Sequence, residues 1–312
     1  MSRPPPRPIA FVLAATHQGT LIVNRNDYRL TERGGYGVGY QLLQTSSFDA
    51  AEVDFAVQLL GGRRSHFGDG VVALDCGANI GVHTLEWARA MTGWGQVIAV
   101  EAQERVFYAL AGNLALNNCF NARAIWAAVG AQRGEIGVPV PDYGSPASFG
   151  SLELRKTART EFIGQAIDYD EARLQATAMM AIDDLALPRL DFLKIDIEGM
   201  ELEALAGAEQ TLARCRPVMM IEKIKTDEAA LRSVIDRHGY RVFPMGINLL
   251  AVHGSDPWPA RSRSASPEHR PSLHRRLANP RSTANDGQSG HSRMTPAAAC
   301  RSAAPNPFQP WN

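Results

Sequence analysis

The sequence predicts an α/β fold in which a doubly wound, mostly parallel sheet is covered by helices on both faces. Three observations lead there. Short apolar runs alternate with amphipathic stretches of helical period between residues 71 and 253, and such alternation calls for parallel strands joined by crossover helices. A glycine-rich turn joins the first of these runs directly to a helical stretch, which leaves unpaired backbone N–H groups at the start of that helix. The last two runs stand too close together for a helical crossover and are expected to pair as an antiparallel hairpin.

The elements follow in order. Residues 1–70 read as an N-terminal elaboration over the sheet edge, with strands expected at 20–23 and 36–44. Asp49-Ala50-Ala51-Glu52 has the form of a capping box opening a helix with Val53, Val57 and Leu60 inward. The sheet domain, residues 71–253, opens with VVALD as a buried strand and a helix over 82–91. VIAVE, 97–101, is the second strand, and the helix over 104–117 carries Phe107, Leu110 and Leu114 on one face. Residues 124–129 form a third strand, after which the Gly/Pro/Ser-rich stretch 134–152 reads as an excursion or loop. FLKIDI (192–197) is the fourth strand, with a helix over 201–213, and PVMMIE (217–222) is the fifth, with a helix over 227–238. Residues 240–243 and 249–252 make the final hairpin. Beyond it, residues 254–312 hold nine of the nineteen prolines and no apolar periodicity, a composition expected to stay disordered because it buries too little to offset ordering entropy.

Composition removes several function classes. The 312 residues carry 32 basic and 32 acidic side chains, but eight arginines and only three acids lie from Gly254 onward. Residues 1–253 therefore hold 24 basic and 29 acidic groups, and a mildly acidic body without a basic stripe is not expected to bind nucleic acid. No apolar run reaches the roughly 18 residues of a membrane span. The seven-residue apolar run 9–15 is short for a signal-peptide core, so the expected location is cytoplasmic. Cys76, Cys119, Cys215 and Cys300 are isolated, without zinc spacing, and are expected to be small buried hydrophobes.

Three segments carry chemistry. In VVALDCGANIGVHTLEW, residues 71–87, a buried strand ends at Asp75 and the chain turns through Gly77, Asn79 and Gly81 into a helix. In an open parallel sheet, ligands sit outside the carboxyl ends of the strands at the switch point. Glycine allows a ligand close to the backbone there. No Gly-Lys pair exists, which excludes a Walker loop, and Asn79 stands where a dinucleotide fold places its second glycine. Glu101 closes the second strand, where a carboxylate can take both hydroxyls of an adenosine ribose, so loop and acid together favour an adenosine ligand. The third segment, LDFLKIDIEGMELEAL (190–205), puts Lys194, Asp196 and Glu198 on one face of an otherwise apolar strand by the period of two. Charged groups in a buried strand are paired or functional. A Lys194–Glu198 ion pair is the structural alternative, whereas Asp196 is expected at the same crevice as Asp75 and Glu101.

DCGANIG, the strand-end Glu101, the run Asn113 to Asn117, LDFLKIDIEGMELEALAGA and RPVMMIE together resemble the FkbM family of S-adenosylmethionine-dependent methyltransferases. The resemblance spans about residues 71–222 and continues weakly to His253. It implies a class I methyltransferase fold, a Rossmann-like seven-stranded sheet whose last strand is antiparallel. It further implies S-adenosyl-L-methionine as cofactor, with Asp75, Gly77, Asn79 and Gly81 at its methionine end, Glu101 at its ribose and Asp196 beside its amino group or sulfonium. Members methylate hydroxyls of sugars or natural products, so the expected acceptor is a hydroxyl of a small molecule or glycan. The chain departs from the family pattern at Cys76, His83 and Gln103, and it lacks the acid after the third strand that would hold adenine.

A hydroxyl acceptor calls for a base or a metal. Asp196, Glu198, Glu201, His83 and His253 are the candidates for the base, with Asp196 and Glu198 taken as the catalytic pair. The acids near 196–201 are too few to define a metal site, and none is assigned. Tyr143, Ser148 and Ser151 of the excursion are expected as acceptor contacts. A nicotinamide oxidoreductase, or an inactive cofactor-binding protein, is the competing reading.

Overall fold

The computed structural model describes residues 9–32 and 34–257; the tail expected to be disordered, with Cys300, lies outside the described residues apart from its first four positions. The N-terminal part folds into two antiparallel hairpins, β1 (Phe11–Thr16) with β2 (Gly19–Asn24) and β3 (Arg29–Thr31) with β4 (Gly34–Tyr36). Two helices follow, α1 (Val38–Thr45) and α2 (Ala50–Phe67). The strand expected over 36–44 is therefore mostly helix. Val38, Tyr40 and Leu42 alternate as a strand would, but Val38 and Leu42 are also four apart, and these are the two apolar side chains the helix buries. Asp49 does precede α2, yet no capping box forms: its side chain makes no cap bond, and Glu52 turns away toward His83 and Asn248. Nor does α2 lie over the sheet edge. Val53, Leu59 and Leu60 pack with Val71, Ala73 and Phe192, on a face of the central sheet.

The remaining chain alternates as expected, with differences of detail. β5 (Val71–Cys76), α3 (Val82–Ala90), β6 (Gly95–Glu101) and α4 (Glu104–Leu116) come first. The third expected strand divides into β7 (Ala122–Trp126), within the main sheet, and β8 (Ala128–Val129), which leaves it. β8 pairs with β10 (Gln175–Met180), and β10 with β9 (Gly134–Val138), in a small side sheet. β9 lies inside the stretch read as an excursion, and β10 carried no strand expectation. Beyond them come β11 (Phe192–Ile195), α5 (Glu201–Ala206), α6 (Glu209–Cys215), β12 (Val218–Glu222), α7 (Glu228–Arg237), β13 (Tyr240–Met245) and β14 (Asn248–His253). The single helix expected over 201–213 breaks at Gly207, where a Cβ would collide with the carbonyl oxygen of Gly130.

The central sheet has seven strands in the order β13-β14-β12-β11-β5-β6-β7, parallel throughout except for β14, which runs against both neighbours. This is the class I methyltransferase topology. From β5 the chain steps outward through β6 to β7, then returns to β11 on the other side, so the switch point lies between β5 and β11. Helices α2, α3 and α4 cover one face around Trp87, whose ring meets Phe192 edge-on at 5.1 Å. Helices α5, α6 and α7 cover the other around Leu74, Leu193 and Ile221.

Strand alternation then decides where the charges go. Val71 and Ala73, Val97 and Ala99, Phe192, Val218 and Met220, Leu250 and Val252 all face the α2–α4 layer. Two residues further along their strands, Asp75, Glu101, Lys194 and Glu222 must face the same way at the carboxyl ends. Because β14 is antiparallel, its first residue, Asn248, joins them opposite Glu222.

Candidate functional site

At these carboxyl ends lies a cavity of about 450 Å³, within the size range of cofactor and substrate sites. Its wall includes Gly77 and Asn79 from the loop after β5, Glu101 from β6, Asp196 and Glu198 after β11, and Glu222 from β12. The loop after β5 is shaped by three residues of positive φ, Gly77 (79°), Asn79 (52°) and Gly81 (90°), a region that glycine and asparagine enter most readily. Asn79 accepts the Ile80 N–H through its own side chain, at 2.7 Å. Asn113 of α4 donates to the Ile80 carbonyl at 2.8 Å and accepts the Ile22 N–H, tying the loop to β2.

Asp75 and Gly81, expected at the cofactor's methionine end, are placed differently from the others and are absent from the cavity wall. Asp75 is wholly buried beneath it and accepts a 2.6 Å hydrogen bond from Thr84, which seats the first turn of α3. Gly81 precedes that helix, and a Cβ there would press on Leu110.

Glu101 accepts the Asn79 N–H at 3.0 Å on one oxygen and the Gln103 N–H at 2.8 Å on the other. Burial pushes its carboxyl up to about 7, against the pull of these backbone donors. Gln103, one of the departures from the family pattern, donates to the Phe149 carbonyl and accepts from the Tyr143 hydroxyl. It thereby holds the excursion over the site. Ser148 and Ser151 reach the cavity wall, whereas Tyr143 does not.

Lys194 pairs with Asp196, Nζ to Oδ2 2.8 Å, rather than with Glu198. β11 ends at Ile195, so the period of two no longer holds at 198. Glu198 sits in a left-handed turn, φ 57°, and pairs instead with Lys225 at 2.6 Å. Burial works against the Lys194 charge, but Asp196 and Asp75 beside it outweigh this and raise its pKa above the ordinary lysine value. Burial pushes the Glu198 carboxyl up to about 8 despite Lys225. Glu222 goes up to about 9 through burial with Asp196 and Glu198 nearby.

The other base candidates separate. Glu201 is buried and accepts the Ile197 and Gly199 N–H groups, shaping the turn that presents Glu198. His253 ends the antiparallel strand and therefore lies opposite Tyr240 at the far end of the sheet, away from the cavity. His83 is on the wall, its Nε2 3.3 Å from Glu52 Oε1. Burial works against the Glu52 charge, yet His83 and Lys194 hold its carboxyl below the usual range. Glu52 and its partner Asn248, 2.7 Å away, carried no functional expectation; only the fold brings α2 to the start of β14.

Against known families, a model described as the methyltransferase FkbM domain matches residues 75–242, more than half of the chain. The chain belongs to the FkbM methyltransferase family. No curated protein matches it. Among solved structures it is similar to methyltransferase FkbM from Methylobacillus flagellatus KT, at 20% identity and TM-score 0.40, covering 59% of this chain and 43% of that one. It thus spans less than half the length of that FkbM protein. It is also similar to a SAM-dependent methyltransferase from Aquifex aeolicus (14% identity, TM-score 0.31, 66% and 97% covered). A third similar structure is a precorrin-6y C5,15-methyltransferase from Geobacter metallireducens GS-15 (15%, 0.35, 64% and 84%). Among the described residues, no helix is long and apolar enough to cross a membrane.

Proposed function

We propose that this FkbM-family chain binds S-adenosyl-L-methionine in the cavity and methylates a hydroxyl of a small molecule or glycan. The observation that carries the reading is the placement of Glu101 and Asp196 on one wall, flanking the Gly77–Asn79 loop at the switch point. A buried carboxylate at the end of β6 keeps lone pairs for two ribose hydroxyls after accepting its two backbone donors. Asp196, fixed by Lys194, sets a negative charge where a sulfonium or ammonium gains most from it. The residues present therefore fit an adenosyl cation.

When bound, S-adenosylmethionine would supply an activated methyl carbon for the acceptor oxygen, its carbon–sulfur bonding pair staying on sulfur and the hydroxyl losing its proton. The chain's part is to align the two reactants, a contribution worth roughly 7–11 kcal/mol of barrier, and to receive that proton. Glu198 and His83 stand on the wall for this, with Glu52 steering the imidazole. Asp49, Glu52 and Glu161 on the same wall make it electronegative, which favours an uncharged hydroxyl acceptor over a phosphorylated one. The Asn79 position disfavours the nicotinamide reading.

Calorimetric titration with S-adenosylhomocysteine, S-adenosylmethionine and NADH tests this. Micromolar binding of both adenosyl ligands is expected, with none of NADH, and Glu101→Ala is expected to weaken it at least about tenfold, or ~1.4 kcal/mol. Absence of adenosyl binding by the folded chain defeats the reading.

A further inference from the structure

We propose that Asp196, Glu198 and Glu222 form a binding site for one divalent cation of the hard, oxygen-seeking kind, on the wall of the same cavity. The site stands independently of the reading above; only its part in methyl transfer rests on that reading.

The ends of β11 and β12 bring the three carboxylates together, one oxygen from each lying within 4.8 Å of the others. An ion with metal–oxygen bonds of about 2.1–2.4 Å sets its ligand oxygens about 3 Å apart when adjacent and up to about 4.8 Å when opposite. One ion therefore spans the trio. Two of the three carboxylates have a counter-charge, Lys194 on Asp196 and Lys225 on Glu198. Each lysine meets a single oxygen, Asp196 Oδ2 and Glu198 Oε2, and each carboxylate has a second.

Glu222 supplies the second, independent observation. It is only 6% exposed and lies on the cavity wall, yet its buried Oε2 accepts no hydrogen bond from any donor, and no basic group pairs with it among the described residues. An ionised carboxylate buried in this way is costly without a compensating charge. The sheet places it there with Asn248 opposite, and Asn248 spends its amide on Glu52. What Glu222 lacks is a counter-charge. The trio's donor set is all oxygen, with neither sulfur nor imidazole, and such a set selects magnesium, manganese or calcium over zinc or copper.

The cavity gives the ion a role. An acceptor hydroxyl completing its coordination shell would be oriented beside the cofactor and favoured in its ionised form, the proton passing to His83 since Glu198 is then a ligand.

The full chain, freed of metal with chelator, is titrated with manganese chloride while the free-ion paramagnetic resonance signal is followed, with and without S-adenosylhomocysteine. One ion per chain is expected in both conditions, competed by magnesium or calcium. Glu222→Gln and Glu198→Gln are each expected to weaken it at least about tenfold, with circular dichroism and adenosyl binding retained. Should Glu222→Gln not fold, Glu198→Gln, in the turn after β11, carries the comparison. Three results overturn the site: no bound manganese at about 1 mM, binding indifferent to the substitutions, or displacement of the ion by S-adenosylhomocysteine. The last would mean that the trio serves the cofactor's own cation. Adenosyl binding without metal binding would leave the methyltransferase reading standing and remove only this one.

Discussion

Gly77 shows how much can hang on one hydrogen atom. Its φ of 79° is left-handed, and a Cβ would collide with the carbonyl oxygen of Asp196. The cofactor loop and the strand end that presents Asp196 touch backbone to backbone there, so the glycine is as much a packing requirement as a binding one. Gly77→Ala combines a left-handed penalty of about 1–2 kcal/mol with overpacking of about 1–3 kcal/mol. A loss of about 2–5 kcal/mol in urea unfolding is expected, together with loss of adenosyl binding. A midpoint unchanged from the parent would show that the contact relaxes at no cost. Asn79, two residues on, takes the same left-handed region with a side chain that bonds the next N–H. That is the physical reason asparagine suffices where glycine was the obvious residue.

Between elements, the joining is done by buried polar side chains whose role no sequence pattern reveals. Asp27, in the turn after β2, accepts the N–H of Gly39 at the start of α1 and that of Phe149 in the excursion. One carboxylate thus stitches together three segments that are separated by up to 122 residues. Asp27→Ala leaves both donors buried and unpaired. The expected cost is about 2–4 kcal/mol, read as a shift of the urea midpoint, with the segment 148–151 exchanging its amides faster than in the parent. If only the midpoint moves and that exchange is unchanged, the excursion is held by something else, with Gln103 the next bond to break.

For the molecule as a whole, the buried acids make stability depend on pH in a sense opposite to that of surface ion pairs. Burial raises Asp27 to about 6 and Glu101 to about 7 from their ordinary values of 3.8 and 4.5. Over those intervals the folded chain holds more protons than the unfolded chain, so their contribution falls as pH rises. It is intact below about pH 4 and lost by about pH 7. Glu101→Gln, which does not titrate, should gain on the parent by on the order of 3 kcal/mol between pH 4 and pH 8. Parallel stability curves would contradict the assignment. Adenosyl binding runs the other way, since ribose hydroxyls donate best to the ionised carboxylate. Affinity should therefore rise through pH 7 in the parent and stay level in Glu101→Gln.

The alternation of strand and helix, the final hairpin and the glycine turn were legible in the sequence because each depends on neighbours a few residues away. Parallel strands buried on both faces read as continuous apolar runs, and helices read by their 3.6-residue period. Where two local patterns coincide, the reading failed: residues 38–44 satisfy both periods, and tertiary burial of Val38 and Leu42 selected the helix. β10 and the division between β7 and β8 were invisible, since those short strands exist only through their pairing. The same division runs through the site. Asp196, Glu198, Glu101 and the Gly77–Asn79 loop stood out as polar or glycine positions interrupting apolar strands. The pairing of Lys194 with Asp196, the removal of His253 to the far end and the approach of Glu52 depend on strand order and direction. So does the meeting of Glu222 with Asp196 and Glu198, residues whose separation along the chain carries no information about distance. Local periodicity determined the strands and helices and the positions of their exceptional residues. Only the tertiary structure, by ordering and orienting the strands, decided which of those residues share a cavity.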